Sequence, residues 1–221
     1  VDAYSSYSSA PKGTVTLNGT THVTGGKYGA VVTKGTLTMN DSAQVSNAEL
    51  TGVYVDTDGK FIMNSGSVQN NGSTDSGANG GGVFVAGTFT ANSNAVTISE
   101  NAAANGGGIY YAKEATLQLS DKFTITNNTA VNGGGVYVAA GIVEQRGAKI
   151  TGNTANRGSA AFVGKDGTLA VVTGAVEGNV TASGTVQLYA TNALESAPVT
   201  DGITLLNFQK PVVLVANDAA A

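Results

Sequence analysis

Paired carboxylates are the first chemistry to look for in this sequence, since glycoside hydrolysis needs two acids held roughly 5 to 9.5 Å apart. The candidates are Glu100, Asp121, Glu144 and Glu177, and all four fall at or near turn signals rather than recurring in register on strand-like runs. Lyase cleavage of uronate polymers would need an Arg or Lys base beside an acidic calcium cluster. The arginines are Arg146 and Arg157, and no acidic cluster stands near either in sequence. The one histidine, His22, has no neighbour that would complete a dyad and reads as solvent-facing. Asp56-Thr57-Asp58-Gly59 opens like a calcium loop, with Asp56 and Asp58 as its ligands. It lacks the later acid of an EF-hand, and an ordinary turn is the preferred reading. No catalytic residue is assigned, and calcium at that loop is the one cofactor to consider.

The composition points the same way. The chain has 221 residues with 12% charged, 31 Gly, 3 Pro and no Cys, at a net charge of −4. Nucleic acid or an anionic membrane would need a basic patch, so neither is an expected partner. No apolar run approaches the roughly 18 residues that cross a bilayer, so membrane insertion is not expected. No basic segment with a following apolar one opens the sequence at Val1, so any secretory leader is expected to have been removed or excluded. The Gly, Thr, Asn, Ser and Val content favours strands and tight turns over helices.

An internal repeat organises these residues. Gly80-Gly81-Gly82-Val83-Phe84-Val85 recurs as Gly106-Gly107-Gly108-Ile109-Tyr110-Tyr111 and as Gly133-Gly134-Gly135-Val136-Tyr137-Val138, at offsets of 26 and 27 residues. Weaker copies are Gly29-Ala30-Val31-Val32, Gly52-Val53-Tyr54-Val55 and Ala160-Ala161-Phe162-Val163. A second run follows each, as in Thr36-Leu37-Thr38-Met39, Thr88-Phe89-Thr90-Ala91 and Thr168-Leu169-Ala170-Val171. A third run, such as Val96-Thr97-Ile98-Ser99 or Phe123-Thr124-Ile125-Thr126, closes on Asn101, Asn128 or Asn153, with Asn71 and Asn179 in like positions.

Three short strands of period two per repeat of about 22 to 30 residues read as an all-β, single-stranded parallel β-helix with three faces. A propeller blade would need four antiparallel strands in about 40 residues. Coil stacking brings like residues together at about 4.8 Å. It predicts inward rows through Val15/Leu17, Leu37/Met39, Phe61/Met63, Phe89/Ala91, Leu117/Leu119 and Leu169/Val171, with threonines outside. The repeated asparagines, Asn71, Asn101, Asn128, Asn153 and Asn179, suit a structural ladder at a corner, tolerating left-handed backbone and pairing between coils. The Gly triplets read as sharp corners where only hydrogen fits.

These motifs resemble a known group. Gly80 to Val85, Gly106 to Tyr111, Gly133 to Val138 and Ile150-Thr151-Gly152-Asn153 are similar to the repeats of chlamydial polymorphic outer-membrane proteins. They also resemble those of bacterial and archaeal adhesin-like β-helix proteins. The resemblance spans roughly residues 30 to 165, and this chain carries Gly-Gly-Gly where the chlamydial repeats favour Gly-Gly-Ala. It implies a right-handed coil and a secreted or cell-surface location.

Two outer features bear on function. Tyr54, Phe84, Tyr110, Tyr137 and Phe162 share one repeat position between apolar neighbours. If the valines point inward, the preferred reading, the aromatics form an exposed stripe suited to sugar rings or a partner domain; the reverse orientation makes them a core stack. Residues 1–11 read as an N-terminal tail or linker, 12–221 as the β-helix, and 200–221 as its terminal coil or cap. The expected function is a non-catalytic, extracellular adhesin-like module for adhesion or display, facing a host or cell-surface glycan or protein. The alternative is a filament subunit joined end to end with copies of itself. A carbohydrate-active β-helix enzyme is the least favoured reading, because the acids do not recur in register.

Overall fold

The computed structural model describes residues 2–3, 13–91, 95–190, 203–206 and 213–216. Alternation sets each strand. In Thr36–Met39, Leu37 and Met39 are buried while the two threonines stay half-exposed, because successive side chains of a strand point to opposite faces. Every strand pairing among the described residues is parallel. The chain is a parallel β-helix.

Stacking is in register on each side. On the first side Val53, Val83, Ile109, Val136 and Ala161 lie over one another, followed two residues on by Val55, Val85, Tyr111, Val138 and Val163. On the second, Val15, Leu37, Phe61 and Phe89 make one inward row, and the Phe61 and Phe89 rings stack at 5.0 Å. On the third, Val68, Ile98, Ile125 and Ile150 do the same. Most of these side chains are fully buried, each contributing about 1.5–3 kcal/mol. Half-buried Ala91 is a weak member of the expected rows.

The three-faced expectation needs one addition. Ala102–Asn105, Thr129–Asn132 and Thr154–Arg157 form a small parallel sheet of their own. The corner after the asparagine is thus a short fourth side in these coils. Ala103 and Ala130 face inward there and are buried; a methyl group lets this side lie close to the core.

Buried carboxamides hold that corner. Asn128 Nδ2 donates to Asn153 Oδ1 at 3.0 Å and to the Ile98 carbonyl at 3.0 Å. Its Oδ1 accepts from both the backbone N–H and the Nδ2 of Asn101, each at 3.0 Å. Asn71 gives the same pair of bonds to Asn101, and the row ends where the Ala48 N–H donates to Asn71 Oδ1. The left-handed conformation belongs to the residue before each ladder position: Asn70, Glu100, Asn127 and Gly152. The ladder asparagines themselves are therefore chosen for their amides, not for φ. Two further ladders run outside, Asn64–Asn40–Asn18 and Asn132–Asn105–Asn79, with Nδ2–Oδ1 distances of 2.7 and 2.8 Å respectively.

Asn179 departs from the expected ladder. After Val176 the chain passes straight into Gly178–Ala182 on the first side, skipping the corner. Its side chain is exposed, and its N–H donates to Ser159 Oγ at 2.9 Å.

The glycine triplets meet separate demands. Gly106 has φ +65°, a Cβ on Gly107 would stand 2.5 Å from the Thr129 carbonyl oxygen, and one on Gly108 would stand 2.6 Å from the Gly135 carbonyl oxygen. The first glycine turns the chain, and the other two let neighbouring backbone approach.

Two irregularities interrupt the pattern. The second-side ladder breaks between Thr88–Ala91 and Thr116–Ser120. A cleft of about 290 Å³ opens there beside Phe89, Thr90, Ala91, Thr116 and Gln118. Gln145 occupies the inward row between Leu119 and Val171. It is fully buried, donating to the Ala148 carbonyl at 2.6 Å while its Oε1 has no partner.

Of the expected ends, Asp2–Ala3 pairs with Val31 and Val32. Ile203–Leu206 and Val213–Ala216 extend the first and second sides. The remainder of residues 1–11 and of 200–221 lies outside the described residues.

Asn128→Ala would strip the buried Asn101 N–H of its acceptor and remove the side-chain bonds to Asn153 and the Ile98 carbonyl, so a loss of about 2–4 kcal/mol is expected in urea unfolding. Asn179→Ala, outside the ladder, should stay within about 0.5 kcal/mol of wild type. Equal effects at both positions would contradict this assignment.

Candidate functional site

Because valines fill the inward positions of the first side, the residue between them must point out. Tyr54, Phe84, Tyr110, Tyr137 and Phe162 are in register on successive coils. They form an outward stripe, half-buried by its own members except for Phe162, which is 6% exposed. Ring centroids are 4.5, 5.4, 4.9 and 5.0 Å apart along the row, and the planes lie within 2 to 21° of parallel. The faces of these rings are therefore spent on each other. What the stripe offers outward is ring edges and hydroxyls, so flat stacking of sugars along its length is not available.

The two ends differ. At Phe162 the Arg157 guanidinium lies 4.8 Å from the ring centroid, a cation–π contact. At the other end Val31 stands in register with Tyr54, and the ring comes instead from Tyr28. Tyr28 meets Tyr54 edge-on at 5.6 Å and 61° and is 37% exposed, so its ring is turned out of the stack.

A groove opens at this break, about 370 Å³ in volume, lined by Tyr28, Leu50, Thr51, Tyr54 and Phe84 with the chain from Gly77 to Asn79. Its far wall is a lengthened corner. Ladder spacing is 30 residues from Asn71 to Asn101, against 27 and 25 in the next coils. The additional chain forms a 3-10 turn, Thr74–Ser76, capped by Ser73 and ended by left-handed Gly77. Asn79 Oδ1 accepts from Asn105 Nδ2 at 2.8 Å, which ties the wall to the next coil. A second groove, about 480 Å³, lies beyond Tyr28 along residues 23–29.

Burial raises the Tyr54 hydroxyl pKa, with smaller upward pushes from the Asp56 carboxylate and Tyr28. Burial also raises those of Tyr110, assisted by Tyr137, and of Tyr137, where Arg157 pulls the other way. These phenols stay neutral donors well into alkaline pH.

The remaining candidates do not gather at this groove. Asp56 Oδ1 accepts from the Thr57 N–H at 2.8 Å and its carbonyl from the Gly59 N–H at 2.8 Å, while Asp58 is exposed. The geometry is that of a self-capped turn. Among the described residues no three His, Asp or Glu come within reach of one metal ion. Glu144, expected near a turn, lies within the strand Val136–Thr151, bound to Arg146 Nε at 2.7 Å and to Gln118 Nε2 at 3.1 Å. His22 is exposed.

The sequence matches no protein-family model, no curated protein and no solved structure. The site rests on its own geometry. Reading the repeat alone misses Tyr28, Leu50, Thr51 and Asn79, because Tyr28 lies three residues ahead of the in-register position. The available signal was the lengthened repeat after Asn71.

Inside the first side, burial pushes the Tyr111 hydroxyl up to about 12. The unfolded chain then ionises first as pH rises, near the ordinary value of about 10. Stability should hold below about pH 10 and fall between that and about 12. Thermal melts at roughly pH 8 and 11 should show a smaller drop for Tyr111→Phe than for wild type. An equal drop would remove Tyr111 from the account.

Proposed function

We propose that this chain is a non-catalytic extracellular module, secreted or held at a cell surface, that displays a binding face for adhesion to a glycan or protein partner. The observation that supports it is the outward aromatic stripe from Tyr54 to Phe162, held in register by the coil stack. A rigid row of amphipathic edges and neutral hydroxyls suits a partner surface, since aromatic side chains combine large contact area with few rotatable bonds. The left-handed corner position of Glu100 and the pairing of Glu144 with Arg146 favour the non-catalytic reading.

A second reading, an end-to-end filament subunit, draws on the parallel strands Ile203–Leu206 and Val213–Ala216, which carry two ladders on to a further coil. Such strands template pairing with another chain.

The first reading is tested by binding wild type and a Tyr110→Ala/Tyr137→Ala variant to arrays of glycans and of extracellular proteins. Wild type should bind a subset of spots and the variant should lose that signal. Binding to no spot, or binding indifferent to the variant, would count against an adhesive stripe. Light scattering across concentrations tests the second reading: a species that stays monomeric removes it.

A further inference from the structure

We infer that the groove between Tyr28 and the lengthened corner is a subsite for one neutral sugar ring of a glycan. The inference rests on the display reading and deepens it by naming a site and a ligand class. Three features of the groove carry it.

The first is the aromatic geometry. Along most of the stripe the rings are parallel and hide their faces, but Tyr28 stands at 61° to Tyr54 with 37% of its surface exposed. A pyranose has an apolar C–H face and a rim of hydroxyls. It needs a ring face to lie against, and Tyr28 is where the stack releases one.

The second is the lining. Tyr28, Leu50, Thr51, Tyr54 and Phe84 mix apolar surface with hydroxyls, and the wall from Gly77 to Asn79 adds backbone and a carboxamide. With Asn79 Oδ1 occupied by Asn105, its Nδ2 faces the role of donor to a ligand hydroxyl. None of the lining residues is charged, so an ionic ligand would be desolvated without a counter-charge. Within two residues of the lining in sequence stand the acids Glu49, Asp56 and Asp75 against the one base Lys27, and the Asp56 charge acts on Tyr54. That disfavours acidic sugars.

The third is the corner. Its spacing of 30 residues, against 27 and 25 in the following coils, adds a 3-10 turn beside the one splayed ring of the row. The cavity, about 370 Å³, falls at the small end of ligand sites. It fits a single ring with its chain continuing past Tyr28 into the neighbouring groove of about 480 Å³.

Saturation-transfer NMR on the full chain tests this with methyl glycosides of glucose, galactose, mannose and N-acetylglucosamine, and with methyl glucuronide. At least one neutral glycoside should receive transfer and the glucuronide should receive less. Tyr28→Ala should abolish the signal, and Tyr28→Trp should keep it. Ala78→Trp fills the groove while leaving Tyr28 in place, and should abolish it too; circular dichroism checks that each variant folds. No transfer to any neutral glycoside, or transfer that survives both Tyr28→Ala and Ala78→Trp, would overturn the subsite. Array binding that depends on Tyr110 and Tyr137 but not on Tyr28 would overturn it while sparing the display reading. Glycoside transfer that depends on Tyr28, with no array binding sensitive to Tyr110 and Tyr137, would sustain the subsite and sink the stripe.

Discussion

A carboxamide can donate and accept along one line, and in this protein that property sets the coil spacing at its most buried corner. Asn71, Asn101, Asn128 and Asn153 each lie inside the fold, and each links its neighbour through Nδ2–Oδ1 contacts of 2.9 to 3.0 Å. The same groups also bond the backbone on either side, so a coil that slipped in register would strand several buried donors at once. In a parallel stack the register of one ladder is the register of all. The Val, Leu, Ile and Phe rows inside and the aromatic row outside follow from it.

That constraint decides what the surface can do. Identical residues on successive coils satisfy one another first: aromatic rings stack on rings, and surface asparagines bond asparagines. A regular face of such a protein is stable but presents little that is unpaired. New surface appears where the repeat falters. Val31 in place of an aromatic ring and the lengthened corner after Asn71 together leave Tyr28 splayed and a groove beside it.

Not every irregularity has a place in that account. The gap in the second-side ladder lies beside the connection through Lys113, whose Nζ bonds Thr88 Oγ1 at 2.9 Å. Its cleft is lined by Phe89, Thr90, Ala91, Thr116 and Gln118, and the Gln118 amide is already bound to Glu144. Gln145 in the core row, with Oε1 unpaired, is a local cost that its Nε2 bond to the Ala148 carbonyl offsets only in part.

The sequence by itself determined the parallel coil, the inward rows of the second side such as Leu37/Met39 and Phe61/Met63, and four of the five ladder asparagines. Period-two alternation and a near-constant repeat leave few other ways to bury those side chains. It could not decide which way the aromatics faced, since both neighbours are apolar and either orientation buries something. It also could not show that Asn179 leaves the ladder, because that follows from a coil that skips its corner. Nor did repeat arithmetic reveal the fourth side or the groove. Tyr28 and Thr51 are in register on adjacent coils, whereas Asn79 comes from the lengthened corner of the next, and only the stacking of coils brings the three to one place.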